Sequence, residues 1–126
     1  MTTVDRAGYV LIVEDVRDER DAARLILEIE GYCVIALASG DEALEYMRHR
    51  APPRMILLDL KMHGTNGWDF RTAQLADPRL AAVPVVVCSG DGRLSEKAQA
   101  LGVIDQLPKP IDHRALLRLA AQCCNN

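Results

Sequence analysis

A chain of 126 residues suits one domain that buries about two-thirds of the surface its unfolded form exposes, with no room for a second folded unit. A formal net charge of -3 supplies no basic field, which argues against a nucleic-acid surface and against an anionic membrane. The apolar runs at 9–13, 55–58 and 83–88 fall far below the ~20 residues that cross a bilayer, and the start Met1-Thr2-Thr3-Val4-Asp5-Arg6 has no signal-peptide pattern, so a cytoplasmic protein is expected.

Residues 1–8 read as a lead-in, 9–124 as the domain and 125–126 as a tail. Tyr9-Val10-Leu11-Ile12-Val13 reads as a first buried strand, ending on Glu14-Asp15. From Arg17 the period changes: Ala22, Leu25, Ile26 and Ile29 recur at helical spacing and Gly31 stops the helix. Cys33-Val34-Ile35-Ala36-Leu37 is a second strand. Ser39-Gly40-Asp41-Glu42 then forms a capping box for a helix through Ala43, Leu44 and Met47, closed by Pro52-Pro53.

Met55-Ile56-Leu57-Leu58 is a third strand, buried on both faces and ending on Asp59. After the Asn66-Gly67 turn comes a helix carrying Trp68, Phe70 and Leu75, the weakest of the helical patterns, which stops before Pro78. Val83 to Cys88 gives a fourth strand ending on Ser89-Gly90, and Leu94, Ala98 and Leu101 give a further helix that stops at Gly102. Ile104 to Leu107 is a short fifth strand. Beyond Pro108-Lys109-Pro110 lies a last helix with one apolar stripe at Leu116, Leu119, Ala120 and Cys123 and a second at Leu117, Ala121 and Cys124. The second stripe suits deeper burial, or a weak dimer or partner contact, with the contact slightly favoured.

Strict alternation of strand and helix argues for an α/β fold, a parallel sheet with right-handed crossovers and helices on both faces. In such sheets ligands gather at the carboxyl ends of the strands. Here those ends carry Glu14-Asp15, Asp59, Ser89 and, just past the fifth, Lys109. Three carboxylates brought together repel unless a cation sits among them. Oxygen donors with no His or Cys expected nearby favour a hard ion, and Mg²⁺ uses one or two carboxylates plus a phosphate. One carboxylate is then left to act as nucleophile, and Asp59, alone at its strand end, is the candidate. The metal, the Ser89 hydroxyl and the Lys109 ammonium would each neutralise one oxygen of a transferred phosphoryl group. A lone strand-end Asp is as readily a loop cap, and one of Glu14-Asp15 would suffice to cap the first helix; it is the set of partners that favours chemistry.

Together, Glu14-Asp15 after the first strand, Leu-Leu-Asp59-Leu-Lys61-Met62 with Gly67 eight residues past the aspartate, Ser89-Gly90 and Lys109-Pro110 resemble the receiver domain of two-component response regulators over nearly the whole chain. The resemblance implies a flavodoxin-like sheet of order 2-1-3-4-5 and phosphorylation of Asp59 by a sensor histidine kinase or a histidine phosphotransfer protein. It further implies Mg²⁺ held directly by Asp15 and Asp59, through water by Glu14, and by the backbone carbonyl of Lys61. Lys109 would contact the phosphoryl group, and the Lys109-Pro110 peptide would be cis. Lys61 and Asp91 would flank the attacking water and tune hydrolysis. The phosphorylated form would bind a downstream target protein or pass the group on.

Three positions depart from the family pattern: His63 for the usual proline, Pro108 before Lys109, and Gln106 where a switch aromatic is expected. A phosphorylation-independent, receiver-like adaptor is the alternative, although such members usually lack one of the acidic pair, the aspartate or the lysine. A flavin- or nucleotide-binding enzyme would need a glycine-rich phosphate loop where Glu14-Asp15 stand. Cys33, Cys88, Cys123 and Cys124 read as reduced thiols, the first two buried, with partial exposure open for the C-terminal pair. His49, His63 and His113 show no ligand spacing and read as surface residues.

Overall fold

The computed structural model describes residues 8–60, 67–90 and 100–124. Its strands are β1 (Val10–Val13), β2 (Val34–Leu37), β3 (Met55–Asp59), β4 (Val85–Ser89) and β5 (Asp105–Pro108). Its helices are α1 (Arg17–Ile29), α2 (Gly40–Arg48), α3 (Gly67–Ala76) and, last in the chain, α4 (His113–Cys124). The strands form one parallel sheet in the order β2-β1-β3-β4-β5. The alternation of strands and helices led to the expectation of such a parallel sheet, and the order is the flavodoxin-like one that the resemblance implies.

β1, β3 and β4 are buried along their whole length, whereas the edge strands β2 and β5 are largely half-buried. The period of two sends alternate residues to opposite faces and so explains the unbroken apolar runs. Val10, Ile12, Leu57 and Val86 pack with Ala23 and Leu27 of α1 and Leu116, Leu119 and Ala120 of α4. Leu11, Val13, Ile56, Leu58 and Val87 pack with Ala43 and Met47 of α2 and Phe70 of α3 on the other face.

Local signals set the helix ends. Gly31 takes φ 92° after α1, its N–H bonding Glu28 O at 2.9 Å while Tyr32 N bonds Leu27 O at 3.1 Å, the Schellman closure. Ser39 Oγ accepts from Glu42 N at 3.1 Å, and Glu42 Oε2 accepts from Ala38 N at 3.2 Å, one residue before the N-cap, and from the Ser39 hydroxyl.

Several expectations shift. The buried face of α1 is Ala23 and Leu27 with Ile26 partly covered, while Leu25 is 57% and Ile29 72% exposed. The helix offers adjacent apolar stripes, and the short 14–16 link from β1 selects between them, a constraint that periodicity does not contain. In α3, Leu75 is exposed and Arg71 and Gln74 are buried instead. Cys33 is exposed, lying just before the edge strand β2 rather than within it, whereas Cys88 is buried as expected. β4 starts at Val85, after Pro84, and β5 one residue later than expected, leaving Ile104 exposed.

On α4, Cys124 is buried and Leu117 packs partly against the core, so burial takes up much of the second stripe. The first stripe's Cys123 is only partly buried. The helix expected around Leu94 and Ala98, the lead-in up to residue 7, the tail 125–126 and His63 lie outside the described residues. No helix among the described residues is long and apolar enough to cross a membrane.

Candidate functional site

The carboxyl edge of the sheet gathers the charged residues. Glu14 follows β1 directly, its N–H bonding Leu37 O of β2 at 3.0 Å, and its side chain is buried. Glu14 Oε2 accepts from Val16 N at 3.1 Å, while Arg20 of α1 donates to the Glu14 carbonyl at 2.9 Å and fixes the turn. Asp59 ends β3 with 3% of its surface exposed, and its register partner on β4 is Cys88, one residue before the buried Ser89.

Gly67 at the head of α3 is required by a close approach: an added Cβ would lie 2.7 Å from Leu60 Cα and 3.1 Å from Asp59 O. Gly67 N in turn bonds Leu60 O at 3.2 Å. The missing Cβ of Gly67 therefore lets α3 pack directly behind the end of β3.

Lys109 is positioned by its own backbone, whose N–H bonds Ser89 O at 3.2 Å, and by the cis Lys109-Pro110 peptide, as the resemblance implies. Its Nζ lies 2.7 Å from Glu19 Oε1, 2.8 Å from Glu14 Oε1 and 3.4 Å from Asp59 Oδ2. Three carboxylates around one ammonium leave a formal excess of two negative charges. Burial pushes the Glu14 carboxyl up to about 7; Lys109 opposes this, and neighbouring Asp59 adds to it. Burial alone would lower the Lys109 ammonium, but its bonds to Glu14 and Glu19 and the charge of Asp59 raise it, so it stays a cation.

Contrary to the expectation of no cysteine nearby, ligand atoms of Glu14, Asp59 and Cys88 lie within 4.8 Å of one another, all three residues buried, because the register sets Cys88 beside Asp59. Burial, and then the charge of Asp59, raises the Cys88 thiol and keeps it neutral, so the carboxylate oxygens are the donors available to a hard cation.

The structure thus brings together Glu14, Asp59 and Lys109, with Ser89 on the same strand ends. Asp15 is half-buried on the adjoining turn, outside the Glu14–Asp59–Cys88 group, and its carbonyl accepts from Arg20 at 3.5 Å. Gln106 is half-buried on β5 opposite Val87. Lys61, with the carbonyl assigned to the metal, and Asp91 lie outside the described residues. Glu19 escaped the sequence reading because an acidic residue in the first turn of a helix is explained by the helix dipole alone.

A doubly wound parallel sheet with buried carboxylates, a hydroxyl and a lysine at its carboxyl edge defines a class, the flavodoxin-like domains with an acidic strand-end site. The model of the response regulator receiver domain family matches residues 10–121, and the chain belongs to that family. This places it in two-component, phosphorylation-dependent signalling from a kinase. An uncharacterized 14.6 kDa protein of Leptolyngbya boryana is 31% identical over 117 residues, covering 91% of this chain and 88% of that one. The alkaline phosphatase synthesis transcriptional regulatory protein SphR of Synechococcus elongatus is 32% identical over 121 residues, 88% of this chain but 46% of its own length. The chain therefore spans less than half of that relative. The crystal structure of a sensor protein from Polaromonas sp. JS666 superposes with a TM-score of 0.85 at 29% identity, covering 95% of this chain and 98% of that one.

Proposed function

We propose that this domain accepts a phosphoryl group on Asp59 from a sensor histidine kinase or histidine phosphotransfer protein in a Mg²⁺-dependent reaction. The phosphorylated form then binds a target protein or passes the group on. The observation that carries this reading is the Lys109 ammonium held between the buried carboxylates of Glu14 and Asp59 at the end of the sheet.

The donor set fits a hard divalent ion, because buried carboxylates in excess over the one ammonium are relieved by a further positive charge. Glu14, Asp15 and Asp59, with the Lys61 carbonyl, would hold Mg²⁺. When bound, the ion neutralises carboxylate and phosphoryl oxygens and orients the incoming group.

The chain's own residues do the rest. An Asp59 carboxylate oxygen forms the new bond to phosphorus as the bond to the donor histidine nitrogen breaks, and the imidazole leaves with the electron pair. Burial of Asp59 keeps bulk water off the acceptor. Lys109 stabilises one developing phosphoryl charge, and the Ser89 hydroxyl donates to another oxygen. The domain is acceptor and catalyst of its own modification. With Gln106 at the switch position, the change is relayed by something other than an aromatic side chain turning inward on β5.

Incubation with acetyl phosphate and Mg²⁺, read by intact mass, tests the proposal. A phosphoryl adduct is expected on the wild type and none on Asp59→Asn. No adduct on the wild type, or an undiminished one on the variant, contradicts it.

A further inference from the structure

Glu19 pairs with Lys109 at 2.7 Å, the shortest of the three carboxylate contacts, while Asp59, the proposed acceptor, is the most distant at 3.4 Å. The ammonium is thus drawn toward α1 and away from the atom it has to serve. Glu14 and Asp59 belong to the donor set for the metal; Glu19, in the first turn of the thirteen-residue α1, does not. It is therefore the anion that still competes for Lys109 when a phosphoryl group arrives.

There is room for the pair to part. A cavity of about 460 Å³ lies between α1 and the segment after β5, lined by Glu14, Glu19, Ala22, Ile26, Lys109 and Ile111 among others. The Glu19 side chain is 44% exposed, so water can take over its hydrogen bonds when Lys109 leaves. The helix N-terminus favours a carboxylate at that position with or without the lysine.

We propose that Glu19 is a positioning residue that holds Lys109 on the α1 side of the site between transfers, so that this ion pair breaks each time Asp59 is phosphorylated. The inference rests on the reading of Asp59 as phosphoacceptor. With acetyl phosphate as donor, an Asp59 oxygen bonds phosphorus, the phosphorus–oxygen bond to acetate breaks, and acetate leaves with the electron pair. Lys109 keeps its proton throughout and exchanges the Glu19 carboxylate for a phosphoryl oxygen.

The test is the rate of phosphorylation by acetyl phosphate at saturating Mg²⁺, measured against donor concentration for wild type, Glu19→Gln and Glu19→Ala. Removing a half-exposed partner is expected to raise the maximal rate about threefold in both variants, with the KM for donor unchanged. A general repulsion of the anionic donor by Glu19 would instead act on KM. Equal or lower maximal rates in the variants, or a gain confined to KM, overturn the inference. Those outcomes leave the Asp59 reading standing, because the wild type is phosphorylated in each of them. A wild type that takes no phosphoryl group removes both.

Discussion

Lys109, at the carboxyl edge of the sheet, and Arg71, on α3 against the segments that lead into β4 and β5, are both cations largely withdrawn from water, and they are satisfied in opposite ways. Lys109 faces three carboxylates. Arg71, 6% exposed on α3, spends its donors on Leu101 O at 3.0 Å, Gly102 O at 3.1 Å and Gln74 Oε1 at 2.7 Å. Gln74 in turn donates to Leu80 O at 2.9 Å and Val83 O at 3.1 Å. Among the described residues no carboxylate pairs with Arg71, and burial lowers its pKa.

Neutral carbonyls fix the guanidinium as a brace between α3 and the 101–102 turn, with no excess of charge to be discharged. Around Lys109 the charges are unbalanced and respond to whatever charge arrives. A buried cation is therefore not the mark of the site; an excess of buried carboxylate around one is.

The largest expected effect breaks the structural side. Arg71→Met leaves two carbonyls and the Gln74 amide oxygen without their donor, a loss of about 3 kcal/mol in urea unfolding. Phosphorylation of the folded protein should stay near the wild-type rate. A loss below about 1 kcal/mol would mean that water replaces the brace.

A smaller effect sharpens the Lys109 side. The folded Glu14 carboxyl, pushed up to about 7, lies above the ordinary 4.5, so between those values the folded state binds more protons than the unfolded one. Stability of the metal-free protein should then fall as pH rises through that window, by about 1–3 kcal/mol relative to Glu14→Gln. Paired unfolding curves of the two proteins at pH 5 and pH 8 measure the difference. Parallel behaviour would show that Lys109 already compensates the Glu14 charge.

The contrast also explains what the sequence could disclose. Strand identity was legible because β1, β3 and β4 are buried on both faces and read as continuous apolar runs, whereas the sheet order came from the family resemblance. Glu14, Asp59, Ser89 and Lys109 were legible because chemistry in this architecture collects at strand ends, and the start of α3 at Gly67 because an Asn-Gly pair punctuates the chain there.

The phase of α1 was not legible, since Leu25 and Ile29 have the same spacing as a core stripe. Arg71 and Gln74 were hidden because a polar pair on a helix with weak apolar periodicity looks like a solvated face until the carbonyls of 80, 83, 101 and 102 are placed around it. Glu19 was hidden for a related reason, its partner being ninety residues away in the chain.

The most direct test of the central claim is to locate the modified residue. Protein treated with acetyl phosphate, with Mg²⁺ or with a chelator in excess, would be trapped with borohydride, which reduces an acyl phosphate, then digested and sequenced by mass spectrometry. The account predicts reduction at Asp59 alone, and only in the sample with Mg²⁺. Reduction at another carboxylate, or equal reduction at Asp59 with the chelator present, would contradict it.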